Sequence, residues 1–130
     1  GDKIRRNIDE KAEVLEIIGS VKGKNALLVD DFSITCNTLS SAAKQLIAHG
    51  ANQVFACISH SLLDTKGIKT LEDSPIEKLL VTDTVENPHI LNHPRIDVVS
   101  VAHIFADAVK TIHYEESLGS LLDSYNKLEG

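Results

Sequence analysis

Two adjacent carboxylates, Asp30 and Asp31, end a short apolar run, ALLV at residues 26–29. Ser33, Thr35, Asn37 and Thr38 follow at once, and then a helical pattern begins. A turn rich in hydroxyls and amides that opens a helix leaves backbone N–H groups pointing outward. Those groups carry a partial positive charge and hold an anion such as phosphate. Two carboxylates beside a phosphate would repel it unless they bind sugar hydroxyls or a metal shell such as Mg²⁺. A phosphorylated sugar satisfies both halves of the stretch, with hydroxyls for the carboxylates and phosphate for the amides. Turn and helix-cap chemistry is the plainer explanation for the hydroxyls alone. An aspartate packed unpaired against a sheet would cost several kcal/mol, which favours a ligand-binding role for the acidic pair.

The elements that must position these groups follow from apolar periodicity. Residues 26–29 read as a strand covered on both faces, as in a parallel sheet. Leu39, Ala42, Ala43, Leu46 and Ile47 form a stripe at helical spacing from Thr38 onward, and Gly50 is placed to end that helix in the left-handed region. Residues 53–58 form a second apolar strand, giving a β-α-β unit with a right-handed crossover. A short helix over 65–72, strands over 78–82 and 96–99, a helix over 101–114 capped by Ser100, and a last helical segment over 117–128 complete the pattern. Residues 12–18 fit a strand or a short helix equally, and 1–11 read as a solvated terminus. Strands alternating with helices predict an α/β domain with a mostly parallel sheet flanked by helices, the whole of 1–130 forming one domain.

In such sheets ligands sit beyond the carboxyl ends of the strands. Two further polar sets lie at such ends, Ser59, His60, Ser61 and Asp64 in one and Thr82, Asp83 and Thr84 in the other. Turn and cap chemistry explains much of both sets. His60 is the one histidine placed near this crevice, as a hydrogen-bonded loop residue before an acid or base. Cys36 lies at the helix start, where the dipole lowers a thiol pKa, although packing of the loop suffices to explain it.

Composition excludes several classes. The formal net charge is −6, whereas non-specific nucleic-acid binders are usually basic. No apolar run reaches the ~20 residues of a membrane span. Two cysteines, Cys36 and Cys57, are too few for a disulfide framework and read as free thiols of a cytoplasmic protein. No Walker A loop, dinucleotide fingerprint or nucleophile elbow is present. The chain has no methionine and begins Gly-Asp-Lys, which suggests a piece of something longer.

LLVDDFSITCNTL, with its D-D-x-x-x-T-x-x-T spacing, resembles the phosphoribosyl-diphosphate motif of type I phosphoribosyltransferase folds. SPIEKLLVTDT, the Ser59-His60 segment and the SVA…IH…ES…SLL ending resemble one branch, the carboxy-terminal domain of ribose-phosphate diphosphokinases, from about residue 12 onward. The resemblance implies transfer of diphosphate from ATP to ribose 5-phosphate with Mg²⁺, in a homo-oligomer, dimer or hexamer. It implies that Asp30 binds ribose hydroxyls, with Asp31 beside it and both near the metal. Ile34, Thr35, Cys36, Asn37 and Thr38 would grip the 5′-phosphate. Ser117, Gly119 and Ser120 fall where many members bind a regulatory phosphate. The family's catalytic lysine and arginine lie upstream, with Lys3 and Arg5 as candidates for their remnant, and without them the 130 residues alone are expected to be inactive. Two departures stand out: Ile34 where the family has an acidic or small polar residue, and Asn37 where it has glycine, so that Asn37 is expected in the left-handed region. They leave room for a non-catalytic regulatory or assembly homologue, and a salvage phosphoribosyltransferase is a third reading.

Overall fold

The computed structural model describes residues 4–7, 14–17 and 19–127. It divides into two compact units, residues 1–99 and 100–130. In the first, β1 (Ile4–Asn7) and β2 (Val14–Ile17) form an antiparallel pair with Arg5 opposite Glu16. The ambiguous stretch before Gly19 is thus a strand, and residues 4–7, which composition alone assigned to a solvated terminus, run as its partner.

The main sheet has four parallel strands in the order β3-β4-β5-β6: β3 (Asn25–Ser33), β4 (Gln53–Ser61), β5 (Ile76–Thr82) and β6 (Ile96–Val99). Helix α1 (Asn37–Ala48) joins β3 to β4, and α2 (Thr65–Glu72) joins β4 to β5. The alternation of strand and helix predicted from periodicity is therefore present.

One expectation about the sheet fails. The strands were read as covered on both faces, yet within this unit only one face is. Along β3, Ala26 and Leu28 are buried while Leu27 and Val29 are 60% and 73% exposed. Topology supplies the reason. Strands that follow one another across the sheet in sequence order, each joined by a right-handed crossover, put every connecting helix on the same side. On that side Val54, Ala56, Ile58, Leu79, Val81 and Ile96 pack against Leu39, Ala43, Leu46 and Leu71. Ala42 and Ala43 supply the small side chains that let α1 lie close to its neighbours.

Loops are tied by polar side chains rather than by sheet pairing. Arg95 donates to the carbonyls of Glu72 at 2.8 Å and Ser74 at 3.0 Å, and also to that of Ile76, which pins the end of α2 and the start of β5 together. Asn87 is buried and donates to the Leu63 carbonyl at 2.9 Å and the Ser61 carbonyl at 3.3 Å, fixing the chain where it leaves β4. Gly50 adopts φ 96°, as its place after α1 predicted, and its carbonyl accepts from the Gly23 N–H at 2.8 Å.

The second unit contains α3 (Ala102–His113) and α4 (Leu118–Asn126). The Tyr125 hydroxyl donates to Asp107 at 2.7 Å and links the two helices. Ser117 caps α4 by accepting from the Ser120 N–H at 3.3 Å. No described helix is long and apolar enough to cross a membrane.

Candidate functional site

Strand β3 does not stop at Val29. It runs to Ser33, so the acidic pair lies inside a paired strand: Asp30 is opposite Ile58, and Phe32 is opposite His60. Asp30 is half-buried and Asp31 exposed. The Asp30 carboxylate accepts from the Asp31 N–H at 2.9 Å, and the Asp31 carboxylate accepts from the Phe32 N–H at 2.8 Å. That Phe32 bond, helped by a hydrogen bond with the Asp30 side chain and by His60 nearby, holds the Asp31 carboxyl below its ordinary range. Both carboxylates are thus fixed by the strand's own backbone, and Asp31 keeps a negative charge at the carboxyl edge of the sheet.

The turn that follows is built locally. Ser33 Oγ accepts from the Cys36 N–H at 3.2 Å, and Thr35 Oγ1 accepts from the Asn37 N–H at 3.4 Å. Cys36 has φ 61° and ψ 7°, and its carbonyl accepts the first helical bond, from the Ser40 N–H at 2.9 Å. The left-handed residue is therefore Cys36 and not Asn37, which is the first residue of α1. The cap residue is the last one outside helical geometry, so the reversal falls one position earlier than the glycine comparison suggested. The Cys36 side chain does not cap α1. The helix start carries a partial positive charge that favours an anion, but the Cys36 and Asn37 N–H groups are already engaged by Ser33 and Thr35, as the turn and cap reading of these hydroxyls expects.

Cys36 is not activated by that position. It is 1% exposed, and burial pushes its thiol up to about 11, against a small opposing influence of Arg95. The dipole at the helix start is outweighed by desolvation, so packing is the role of its side chain. At pH 8 a thiol reagent is expected to label the half-buried Cys57 at least 50-fold faster than Cys36 in the folded protein. Comparable labelling rates, followed by peptide mapping, would contradict this placement.

A residue that the sequence reading passed over supports the turn from behind. Gly67, on the first turn of α2, lies so near the loop that a Cβ there would stand 2.5 Å from the Ile34 carbonyl oxygen. Its own N–H donates to Asp64 at 2.8 Å. Asp64, considered for the crevice, is thereby occupied as the cap of α2. A glycine near the start of a helix, where it lowers helix propensity, is the one signal that could have pointed to this close approach.

The other two polar sets partly join the first. His60 Nδ1 is 2.7 Å from Thr84 Oγ1, and the Ser59 carbonyl accepts from Thr82 Oγ1 at 2.5 Å and Thr84 Oγ1 at 3.1 Å. Thr82 and Asp83 line a cavity of about 330 Å³ with Val85, Asn87, Ile90 and Val98. Ser117 and Ser120 line an open groove of about 490 Å³ with Thr111, Glu116 and Leu121 in the second unit, and Gly119 lies between them in α4. Lys3 lies outside the described residues, and Arg5 is in β1. Among the described residues no three His, Cys, Asp or Glu side chains gather as a metal cage.

The profile of one protein family, described as the phosphoribosyl synthetase-associated domain, matches residues 2–123. The chain belongs to that family. Relatives of this phosphoribosyl synthetase-associated domain include a ribose-phosphate pyrophosphokinase from Caldanaerobacter subterraneus, 44% identical over 117 residues, which cover 90% of this chain and 37% of the relative. Another is ribose-phosphate pyrophosphokinase 1 of Listeria innocua, 39% identical over 119 residues, 92% of this chain and 37% of the relative. Among solved structures, phosphoribosylpyrophosphate synthetase from Mycobacterium smegmatis superposes with a TM-score of 0.72 at 25% identity, covering 78% of this chain and 34% of that one. The chain thus spans about a third of the length of these relatives, and its α/β sheet is of their kind.

Proposed function

We propose that this chain is the ribose 5-phosphate-binding portion of a ribose-phosphate diphosphokinase, one part of a longer protein; the family match gives no support to the carboxy-terminal placement expected from the sequence. The observation that carries the proposal is the sequence of elements at one sheet edge. A backbone-fixed carboxylate pair, Asp30 and Asp31, runs directly into a left-handed turn at Cys36 and the start of α1. Asp30 binds ribose hydroxyls with Asp31 beside it, and the turn at residues 34–38 holds the 5′-phosphate, which displaces the Ser33 and Thr35 hydroxyls from the Cys36 and Asn37 N–H groups. Asn37 and Ile34 do not undermine this role, because the anion is held by main chain and the conformational demand falls on Cys36. The family membership and the names of the relatives support the reaction, diphosphate transfer from ATP to ribose 5-phosphate.

The acidic pair also fits Mg²⁺, which takes one or two carboxylates and completes its shell with water and substrate phosphates. When bound there it would neutralise charge on the transferred group. What the chain does by itself is narrower: it orients the sugar through Asp30 and Asp31 and fixes the phosphate through the turn. Cations aimed at the transferred group are needed for the transfer, and the described site offers few. They belong to the rest of the longer protein. The groove at Ser117 and Ser120 is proposed to take a regulatory phosphate in that setting, with Glu116 limiting its affinity.

Calorimetry and a turnover assay on the same sample test this reading. Ribose 5-phosphate is expected to bind with Mg²⁺ present, while ATP and ribose 5-phosphate give no detectable phosphoribosyl diphosphate. Absence of ribose 5-phosphate binding would overturn the site, and robust turnover would overturn the division of labour.

A further inference from the structure

The third crossover of the sheet leaves a hollow where the first two are filled. Helices of 12 and 8 residues, α1 and α2, carry the chain from β3 to β4 and from β4 to β5. Between β5 and β6 the helical content is the three-residue 3₁₀ turn Pro88–Ile90. Right-handed crossovers in this strand order put that link on the same face as the helices. Val81 and Val98 are in register on that face, yet Val81 is fully buried and Val98 is 46% exposed. Val98 lines the cavity of about 330 Å³, a size within the ~300–1,000 Å³ of small-molecule sites. Val85, Pro88, Ile90 and Leu91 supply the rest of its apolar wall. Two of its polar liners are committed to the fold. Asn87 donates to the Leu63 carbonyl and accepts from the His89 N–H at 3.0 Å, and Thr82 donates to the Ser59 carbonyl. These bonds fix the wall before any ligand arrives. The other two polar liners, Asp83 and Glu86, are exposed acids, and none of the described residues that line the cavity is basic.

We infer that this cavity is a further ligand site, for a small amphipathic amine with an apolar body and one cationic head. The apolar wall favours the body in proportion to the area it removes from water. Asp83 and Glu86 attract the cationic head and repel an anion, so the site discriminates against phosphates and carboxylates. Its preference is the reverse of the one proposed for the turn at residues 34–38, and the inference does not depend on that reading. Because both acids are exposed, the cationic head adds selectivity while the apolar wall supplies most of the affinity.

The test titrates this chain at pH 7 with three probes that share one apolar body and differ in the head: phenethylamine, 2-phenylethanol and phenylacetate. Amide NMR reads where each one binds. Phenethylamine is expected to bind at about millimolar strength, ordinary for so small a ligand, and to shift the amides of Asp83, Glu86, Leu91 and Val98. 2-Phenylethanol should shift the same amides with about five-fold weaker affinity, the size of an exposed charge pair, and phenylacetate should give no saturable shift. Added salt should weaken the amine and leave the alcohol unchanged. Asp83→Asn combined with Glu86→Gln should bring the amine down to the affinity of the alcohol. The alcohol should bind this double variant as it binds wild type, which also shows that the variant is folded. Val98→Phe, which fills the hollow, should abolish binding of both. Phenethylamine that gives no saturable shift at these residues, three probes of equal affinity, or an amine preference that survives the double variant would overturn the inference.

Discussion

Gly67→Ala is expected to destabilise the fold and to weaken ribose 5-phosphate binding, although the substitution places the better helix former in a helix. In an open helix the change would stabilise by about 1 kcal/mol. Here the added methyl would stand 2.5 Å from the Ile34 carbonyl oxygen and 3.1 Å from Leu63 Cδ2. The oxygen is backbone, so relief requires moving α2 or the turn itself. Overpacking of this kind costs roughly 1–3 kcal/mol, which outweighs the propensity gain. A net loss of up to about 2 kcal/mol corresponds to a fall in Tm of up to about 10 °C for a domain of this size. The displaced carbonyl belongs to the first residue of the turn proposed to hold the phosphate, so affinity should drop by about ten-fold or more if that proposal holds. Gly119→Ala is the control: its Cβ would meet only Ser117 Oγ, at an ordinary 3.4 Å. Thermal melts and calorimetry of both variants check the contrast. A Gly67→Ala protein as stable and as tight-binding as wild type would mean that α2 does not brace the turn.

The second large effect belongs to the acidic pair. Asp30→Asn should weaken ribose 5-phosphate binding by more than ten-fold, the size of a hydrogen bond to a charged group at about 1.5–3 kcal/mol. The fold should survive, because the asparagine amide oxygen can still accept from the Asp31 N–H. Calorimetry separates the two, with affinity lost and Tm within a few degrees of wild type. An unchanged affinity removes Asp30 from the site. The pH dependence of the wild type follows from Asp31. Its carboxyl is held below the ordinary value of 3.8, first by the Phe32 N–H and then by Asp30. A depressed carboxyl contributes above its unfolded value and stops contributing as pH falls through its folded value. Any loss of binding that comes from Asp31 itself is therefore expected only below pH 3.8, apart from the change caused by protonation of the ligand's own phosphate at about pH 6.

Much of this arrangement was legible in the residues. The alternation of apolar runs and helical stripes gave the α/β sheet, and Gly50 marked the end of α1 by the conformation only glycine adopts cheaply. The acidic pair followed by hydroxyls marked the candidate site. Other features depended on long-range packing that local pattern does not encode. Apolar residues at Leu27 and Val29 read as a doubly covered strand, whereas strand order and crossover hand leave them exposed in their unit. Asn37 drew attention as a departure from glycine, but the helix starts there and the reversal falls on Cys36. The thiol at the helix start was legible as a packing residue, and burial bears that out. Gly67 and the Thr84–His60 contact were out of reach, since each depends on which residues two loops bring together.

The most direct measurement is a ribose 5-phosphate titration, with Mg²⁺, of this chain followed by amide NMR. The predicted result is a saturable shift of the Ile34, Thr35, Cys36, Asn37 and Thr38 amides, with those at the opposite end of α1, His49 and Gly50, unmoved. Shifts confined to other segments, or none at millimolar ligand, would contradict a sugar-phosphate site at this turn.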